Sequence, residues 1–195
     1  HFVTRVKFSP ISSEMKMRHS ILLTLALSIA ASALSPMAHA DATTANSVGR
    51  LELSRYLGKW FEIAAFPMFF QRHCIGDTTA EYALKSDGEI SVTNRCRTEN
   101  GFDQAVGTAW VPDSARSAEL KVSFFWPFRA DYWVIGLDPD YRWAVVGNPN
   151  RKYLWILSRT PQLPQAELDR ALESARAQGY DLTQLKSTRH TESEP

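Results

Sequence analysis

The stretch Tyr56-Leu57-Gly58-Lys59-Trp60-Phe61-Glu62-Ile63-Ala64 opens a run of short β-strands, and Leu154-Trp155-Ile156-Leu157-Ser158-Arg159 closes it about a hundred residues later. Between them the chain reads as strand after strand, each ended by a turn. Lys59–Phe66 is the first. Ile75–Lys85 and Glu89–Thr98 flank Ser86-Asp87-Gly88, a hairpin signal. Gln104–Val111 stops at Pro112-Asp113, Glu119–Phe125 at Trp126-Pro127, and Tyr132–Leu137 at Asp138-Pro139-Asp140. Arg142–Gly147 stops at Asn148-Pro149-Asn150, and Tyr153–Arg159 at Thr160-Pro161. Eight short strands at regular spacing predict an all-β antiparallel sandwich or barrel. One helix follows. Pro164 suits its start, Leu168, Leu172 and Ala175 mark one face, and Gly179 sits where a terminating glycine belongs.

The N-terminal part reads differently. Met15-Lys16-Met17-Arg18-His19 is basic, Ile21 to Ala33 is apolar and small, and Ala38-His39-Ala40 fits a cleavage site. These are the parts of a secretory signal peptide over residues 15–40; the apolar run is shorter than the roughly 20 residues of a membrane span. Residues 1–14 precede the plausible start methionines and are set aside as upstream sequence. The expected domain is 41–187, with a disordered polar tail over 188–195. Removing residues 1–40 takes away four basic residues and one acidic residue, leaving a net charge of about −2. No basic patch calls for nucleic acid.

Cys74 and Cys96 are the two cysteines, both in the exported part, where disulfides persist. The alternative is two free buried thiols. If Ser86 paired with Glu89 across a tight turn, Cys74 would face Gly101. The cysteines would then miss each other by about five residues, unless a bulge near Gly76 absorbs the difference.

Gly58-x-Trp60 on the first strand, Asp138-x-x-Tyr141 after the sixth and Arg159 closing the eighth occur in this order. Together with the later helix they resemble the lipocalin family, in particular its bacterial outer-membrane and apolipoprotein D-like branches. Leu120–Phe128 resembles them too. The resemblance covers roughly residues 50–187. It implies an eight-stranded up-and-down barrel with the helix packed outside. In such a barrel the first and last strands are neighbours, so Arg159 can stack on Trp60 at the closed end, with Leu51–Leu57 plugging the base. Members of this kind are often lipoproteins, but no cysteine precedes Cys74. A periplasmic protein without a lipidated cysteine is therefore expected, with outer-membrane association.

An eight-stranded barrel is just wide enough for one small ligand. Trp60 is expected to be structural. Parity from Trp60 sends Glu62 and Ala64 inward, and Tyr153, Trp155 and Leu157 share a face with Arg159. The resemblance places Trp155, Tyr82, Asn94 and Tyr132 at the ligand, with Val92, Leu120, Val122, Phe124 and Val134 completing an apolar wall. Asn94, Tyr82 and Tyr132 are expected to orient a headgroup near the mouth. On the seventh strand Trp143/Val145 and Ala144/Val146 read equally well. Glu62 requires a partner, a tyrosine or arginine near the base, or else senses ligand. The apolar loops Phe66–Phe70 and Trp126-Pro127-Phe128 suggest membrane contact, ligand access or a homodimer interface; the alternative is folding back on the pocket.

The expected function is therefore carriage of a fatty acid or lysophospholipid, with no cofactor, no metal and no catalytic residue. Two other readings stand beside it. One is a calyx enzyme using Cys96 as a thiol nucleophile; the other is a porphyrin or pigment binder. His73 and His190 stand isolated in the sequence.

Overall fold

The structure, a computed structural model, describes residues 44–191. The expected upstream stretch, the signal peptide and residues 192–195 lie outside the described residues. The strands are β1 (Gly58–Ala65), β2 (Gly76–Leu84), β3 (Ile90–Thr98), β4 (Gly101–Trp110), β5 (Glu119–Phe125), β6 (Phe128–Leu137), β7 (Trp143–Gly147) and β8 (Leu154–Ser158). Each pairs antiparallel with the next, β8 pairs with β1, and β1 pairs back with β2. The sheet thus closes into the predicted eight-stranded barrel. A one-turn helix, α1 (Leu53–Tyr56), precedes β1. Helix α2 (Gln165–Ala177) follows β8, and a short β9 (Lys186–Ser187) adds to β1.

Two apolar clusters lie on opposite sides of this sheet. The inner one contains Trp60, Tyr82, Ile90, Val92, Leu120, Val134 and Leu157. The outer one joins Val145, Ile156 and Ile135 to Ala171 and Ala175 of α2. The seventh strand is therefore resolved: Ala144 and Val146 face inward, Trp143 and Val145 face the helix. Period-2 alternation over buried β-branched residues is what allows one strand to serve both cores.

Parity fails where a strand bulges. The β1–β8 register runs Glu62↔Leu157 and then Ala64↔Ile156, so Ile63 is an extra residue. Ala64, expected inward, packs in the outer cluster instead, and Ala65 takes the face opposite Trp155. The β2–β3 hairpin also differs from a two-residue turn. Lys85 N–H bonds Glu89 O across Ser86-Asp87-Gly88, with Gly88 at φ +85°. A second shift follows between Gly76 and Thr79. These shifts take up part of the mismatch, and Cys74, which precedes β2 and turns back with its N–H on Gln71 O, takes up the rest; Cys74 and Cys96 lie at a Cα separation of 5.6 Å and form a disulfide.

Residues 188–191, part of the stretch expected to be a disordered tail, lie along the barrel seam. Strand β1 pairs with β2 only from Gly58↔Tyr82 to Phe61↔Thr79. Above that the two strands part, and residues 186–191 fill the gap. Ser187 pairs with Ala64, Thr188 N–H bonds Ile63 O, and Asp77 N–H bonds Arg189 O. At Gly76 a Cβ would lie 2.6 Å from that same Arg189 carbonyl, so glycine permits the approach. Residues 188 and 189 supply backbone partners that β1 and β2 lack here.

Candidate functional site

The closed end of the barrel is a packed floor. Trp60 is fully buried, and its indole N–H donates to Tyr56 O at 2.8 Å. The Arg159 guanidinium lies 3.8 Å from the Trp60 ring centroid and donates to Lys59 O and Arg55 O. Below it, Asp138 accepts two hydrogen bonds from the Arg142 side chain and one each from the Asp140 and Arg142 backbones. Burial opposes the Asp138 charge, but these bonds hold its carboxyl below the usual range. Tyr141, at φ +60°, accepts from Glu52 N–H and carries Arg55 over its ring. Gly58, Trp60, Asp138, Tyr141 and Arg159 thus tie α1, the β6–β7 turn and the strand seam into one lid over the closed end.

Above the floor sits a chain of three phenols. Tyr132 Oη lies 2.7 Å from Tyr56 Oη and 2.7 Å from Tyr82 Oη. Burial raises all three, and Tyr82 is pushed up to about 12. Tyr82 and Tyr132 were expected near the mouth. Tyr82 instead stands opposite Gly58, at the start of β1, and its hydroxyl serves the floor. Tyr56 was not singled out in the sequence; it lies on α1, where strand parity says nothing.

Inward residues nearer the open end keep accessible surface. Val122 and Trp155 are only partly buried, and Asn94 faces inward opposite Ala80. Phe124 crosses the inner face at Gly107, where a Cβ would come within 2.7 Å of its ring. Tyr153 stacks on Trp155 at 5.9 Å. Val92 and Val134 also point inward, but both are packed among the lower core. A cavity of about 110 Å³ under the β1–β2 loop is lined by Asn94, Ala105, Trp155 and Phe70. A larger one, about 650 Å³, lies between that loop and the C-terminal segment, lined by Glu62, Ala65, Arg72, Thr78, Lys186 and Thr188 among others. Gln71, Cys74 and Thr78 line both.

Glu62 is the buried acid of this region. Its partners are Thr188, whose hydroxyl donates to Oε1, and Gln71, whose amide donates to Oε2. Neither is the tyrosine or arginine that the sequence led us to expect, since both arrive from segments that parity cannot place. Burial raises the Glu62 carboxyl, while those two bonds and His190 oppose the shift. His190 is not isolated either: Nε2 lies 2.7 Å from Glu62 O, and its ring meets Phe61 edge-on.

Residues 51–190 match the lipocalin-like domain family. The chain belongs to the lipocalin family. It is 41% identical over 141 residues to outer membrane lipoprotein Blc of Vibrio cholerae, covering 71% of this chain and 82% of that protein. Temperature-induced lipocalin-1 of Arabidopsis thaliana is 39% identical over 153 residues, covering 74% and 82% respectively. Apolipoprotein D of Bos taurus is 34% identical over 123 residues, covering 58% and 63%. Among solved structures, insecticyanin from the tobacco hornworm Manduca sexta has a TM-score of 0.62 at 22% identity, covering 76% of this chain and 85% of that one. That likeness shows the fold.

The rim of this lipocalin is aromatic. Phe69, Phe125, Trp126 and Phe128 are 71%, 77%, 84% and 75% exposed, so the β5–β6 turn does not fold back on the pocket. Phe66 and Met68 of the same loop as Phe69 are buried, Phe66 in the outer cluster beside Tyr180. Cys96 is bonded to Cys74, so in this form it offers no thiol for the calyx-enzyme reading.

Proposed function

We propose that this lipocalin binds and carries one amphipathic lipid, a fatty acid or a lysophospholipid, in the upper half of its barrel. The supporting observation is the contrast between layers. The floor is packed and hydrogen-bonded, while Val122, Phe124 and Trp155 keep accessible surface above it. An acyl chain there gains about 0.8 kcal/mol per buried CH₂. Twelve methylenes give roughly 10 kcal/mol, enough to offset the lower estimates of association cost. Asn94 and the polar cavity beside Glu62 suit the ligand's polar end, and that cavity has the size of a small-ligand site. Its relatives named outer membrane lipoprotein support a place in the periplasm, at the outer membrane. The exposed Phe125-Trp126-Pro127-Phe128 rim suits shallow insertion among lipids.

Displacement of a fluorescent fatty acid from delipidated protein tests the reading. One probe per barrel is expected, released by unlabelled fatty acid or lysophospholipid. Trp155→Ala should weaken binding at least tenfold. Absence of displacement, with no acyl species in extracts of the purified protein, defeats it. Flotation with anionic vesicles tests the rim: Trp126→Ser with Phe128→Ser should abolish flotation without changing probe affinity. A concentration-dependent dimer lost in the same variant would assign the rim to a second copy instead.

A further inference from the structure

A second group of reactive side chains lines the smaller cavity at the mouth. His73 and Cys74 end the β1–β2 loop, Cys96 lies on β3, and Asp103 is its cross-strand partner on β4. His73 Nε2 stands 3.9 Å from Cys74 Sγ and 2.9 Å from Asp103 Oδ2. The His73 nitrogen and both sulfurs lie within 4.8 Å of one another. Two sulfurs and an imidazole nitrogen therefore converge from two segments, and the Asp103 carboxylate joins them through His73. His73 is exposed and Cys74 half-buried, which gives access from solvent; Cys96 forms the buried wall.

We propose that reduction of the Cys74–Cys96 disulfide turns this cluster into a site for a thiophilic divalent cation of the zinc type, held by Cys74, Cys96, His73 and Asp103. Tetrahedral zinc, with Zn–S near 2.3 Å and Zn–N near 2.0–2.1 Å, sets sulfur and nitrogen about 3.6 Å apart and nitrogen and oxygen about 3.4 Å apart. The His73–Cys74 and His73–Asp103 separations already lie within about half an ångström of those edges. Breaking the disulfide lets the two sulfurs part to the roughly 3.8 Å of a tetrahedral edge, and the Asp103 carboxylate turns toward them to complete the set.

The reductant is a dithiol. It gives two electrons and two protons to the S–S bond and leaves as its own disulfide, and the chain gains two thiols. The cation then displaces both thiol protons and binds two thiolates. Arg95, which lines the adjacent cavity, offsets part of the residual negative charge. The consequence is structural. The loop that roofs the lipid mouth stays stapled to β3 in either redox state, by a covalent bond when oxidised and by the ion when reduced.

The test uses the full chain, reduced with a phosphine under argon. Cobalt(II) is the spectroscopic probe, and zinc(II) is titrated against a chromophoric chelator. One cobalt per chain is expected, with sulfur charge-transfer and tetrahedral ligand-field bands that zinc removes; the oxidised chain should show neither. His73→Ala should weaken zinc binding at least tenfold, and Asp103→Asn should weaken it while shifting the cobalt bands. Zinc should also raise the urea midpoint of the reduced chain. The proposal is overturned if reduced and oxidised chains bind zinc alike, or if both variants keep full affinity. A cobalt spectrum that persists in urea-unfolded chain overturns it too, because the site would then owe nothing to the fold.

Discussion

Replacing Tyr132 by phenylalanine removes one oxygen atom and, by the geometry of the floor, strands two others. The Tyr132 hydroxyl bridges Tyr56 Oη and Tyr82 Oη at 2.7 Å on either side. Tyr56 is 1% exposed and Tyr82 6%, so neither hydroxyl turns to solvent. A buried hydroxyl without a partner costs about 1–3 kcal/mol. Two of them put Tyr132→Phe at roughly 2–6 kcal/mol. The space left by one oxygen is smaller than a water molecule needs, so hydration does not rescue them. Tyr56→Phe and Tyr82→Phe each remove an end of the chain and leave the other two hydroxyls bonded, which costs only about 1 kcal/mol. Urea unfolding, with the disulfide kept intact, reads the difference. For an m-value of about 2 kcal/mol/M, the central variant moves the midpoint by about 1–3 M and each end variant by about 0.5 M. Equal losses in all three variants refute the reasoning: Tyr132 would then not join the other two, and its hydroxyl would be free for a ligand.

Three further outcomes are expected. Asp77 is held at about 2: burial opposes its charge, but Thr191 and the Arg97 guanidinium stabilise it. A carboxyl lowered by folding stabilises above its unfolded value near 4 and ceases to do so as pH falls through its folded value. The advantage of wild type over Asp77→Asn is therefore roughly 2 kcal/mol at neutral pH and disappears between about pH 4 and pH 2; a constant difference across a urea–pH series rules this out. Glu62 is shifted the other way, so its charge opposes folding as pH rises past the unfolded value. Glu62→Gln, which keeps an acceptor for Thr188, should unfold at a higher urea concentration than wild type at pH 7, with the gap closing in mild acid. At Gly147 a Cβ would stand 2.1 Å from Tyr180 Oη, which is fixed by bonds to Asn148 N and O. Gly147→Ala should cost about 1–3 kcal/mol and weaken the near-ultraviolet dichroism of Tyr180 and its surroundings; an unchanged midpoint would mean that Tyr180 moves freely.

The parts of this protein that were legible in advance are those fixed by period and by short motifs. Eight alternating strands predict a sandwich or barrel because each alternation needs a buried face on one side, and the ordered motifs, through the family resemblance, select the barrel. Trp60 and Arg159 could be paired because closure makes the first and last strands neighbours. What escaped depends on one-residue irregularities and on distant segments. The extra residue at Ile63 reverses the sides of Ala64 and Ala65, and no propensity marks it. The three-residue hairpin at Ser86-Asp87-Gly88 shifts the register of everything above it, including Cys74. The partners of Glu62 lie 9 and 126 residues away, and the second belongs to a polar tail with no apolar pattern to announce that it folds. Its order comes from unpaired strand edges that a single sequence does not display.

The two ends of the barrel consequently obey different constraints. At the floor every polar group is paired and every inward side chain is packed, so a substitution there changes stability first. At the mouth, β1 and β2 part company, and their edges are served by a loop and a chain terminus rather than by each other. Loop and terminus meet on Glu62, through Gln71 and Thr188. A ligand that displaced either bond would disturb loop and terminus together, because the carboxylate they share is buried and pays a desolvation cost when left unpaired. Binding at the mouth should therefore alter amide exchange at 186–191 as well as in the loop, while the exchange of β3 and β4 near Ile90 and Ala109, deep in the packed layer, stays as it was. A ligand that slows exchange only in the loop would show that the terminus closes the seam without taking part in binding.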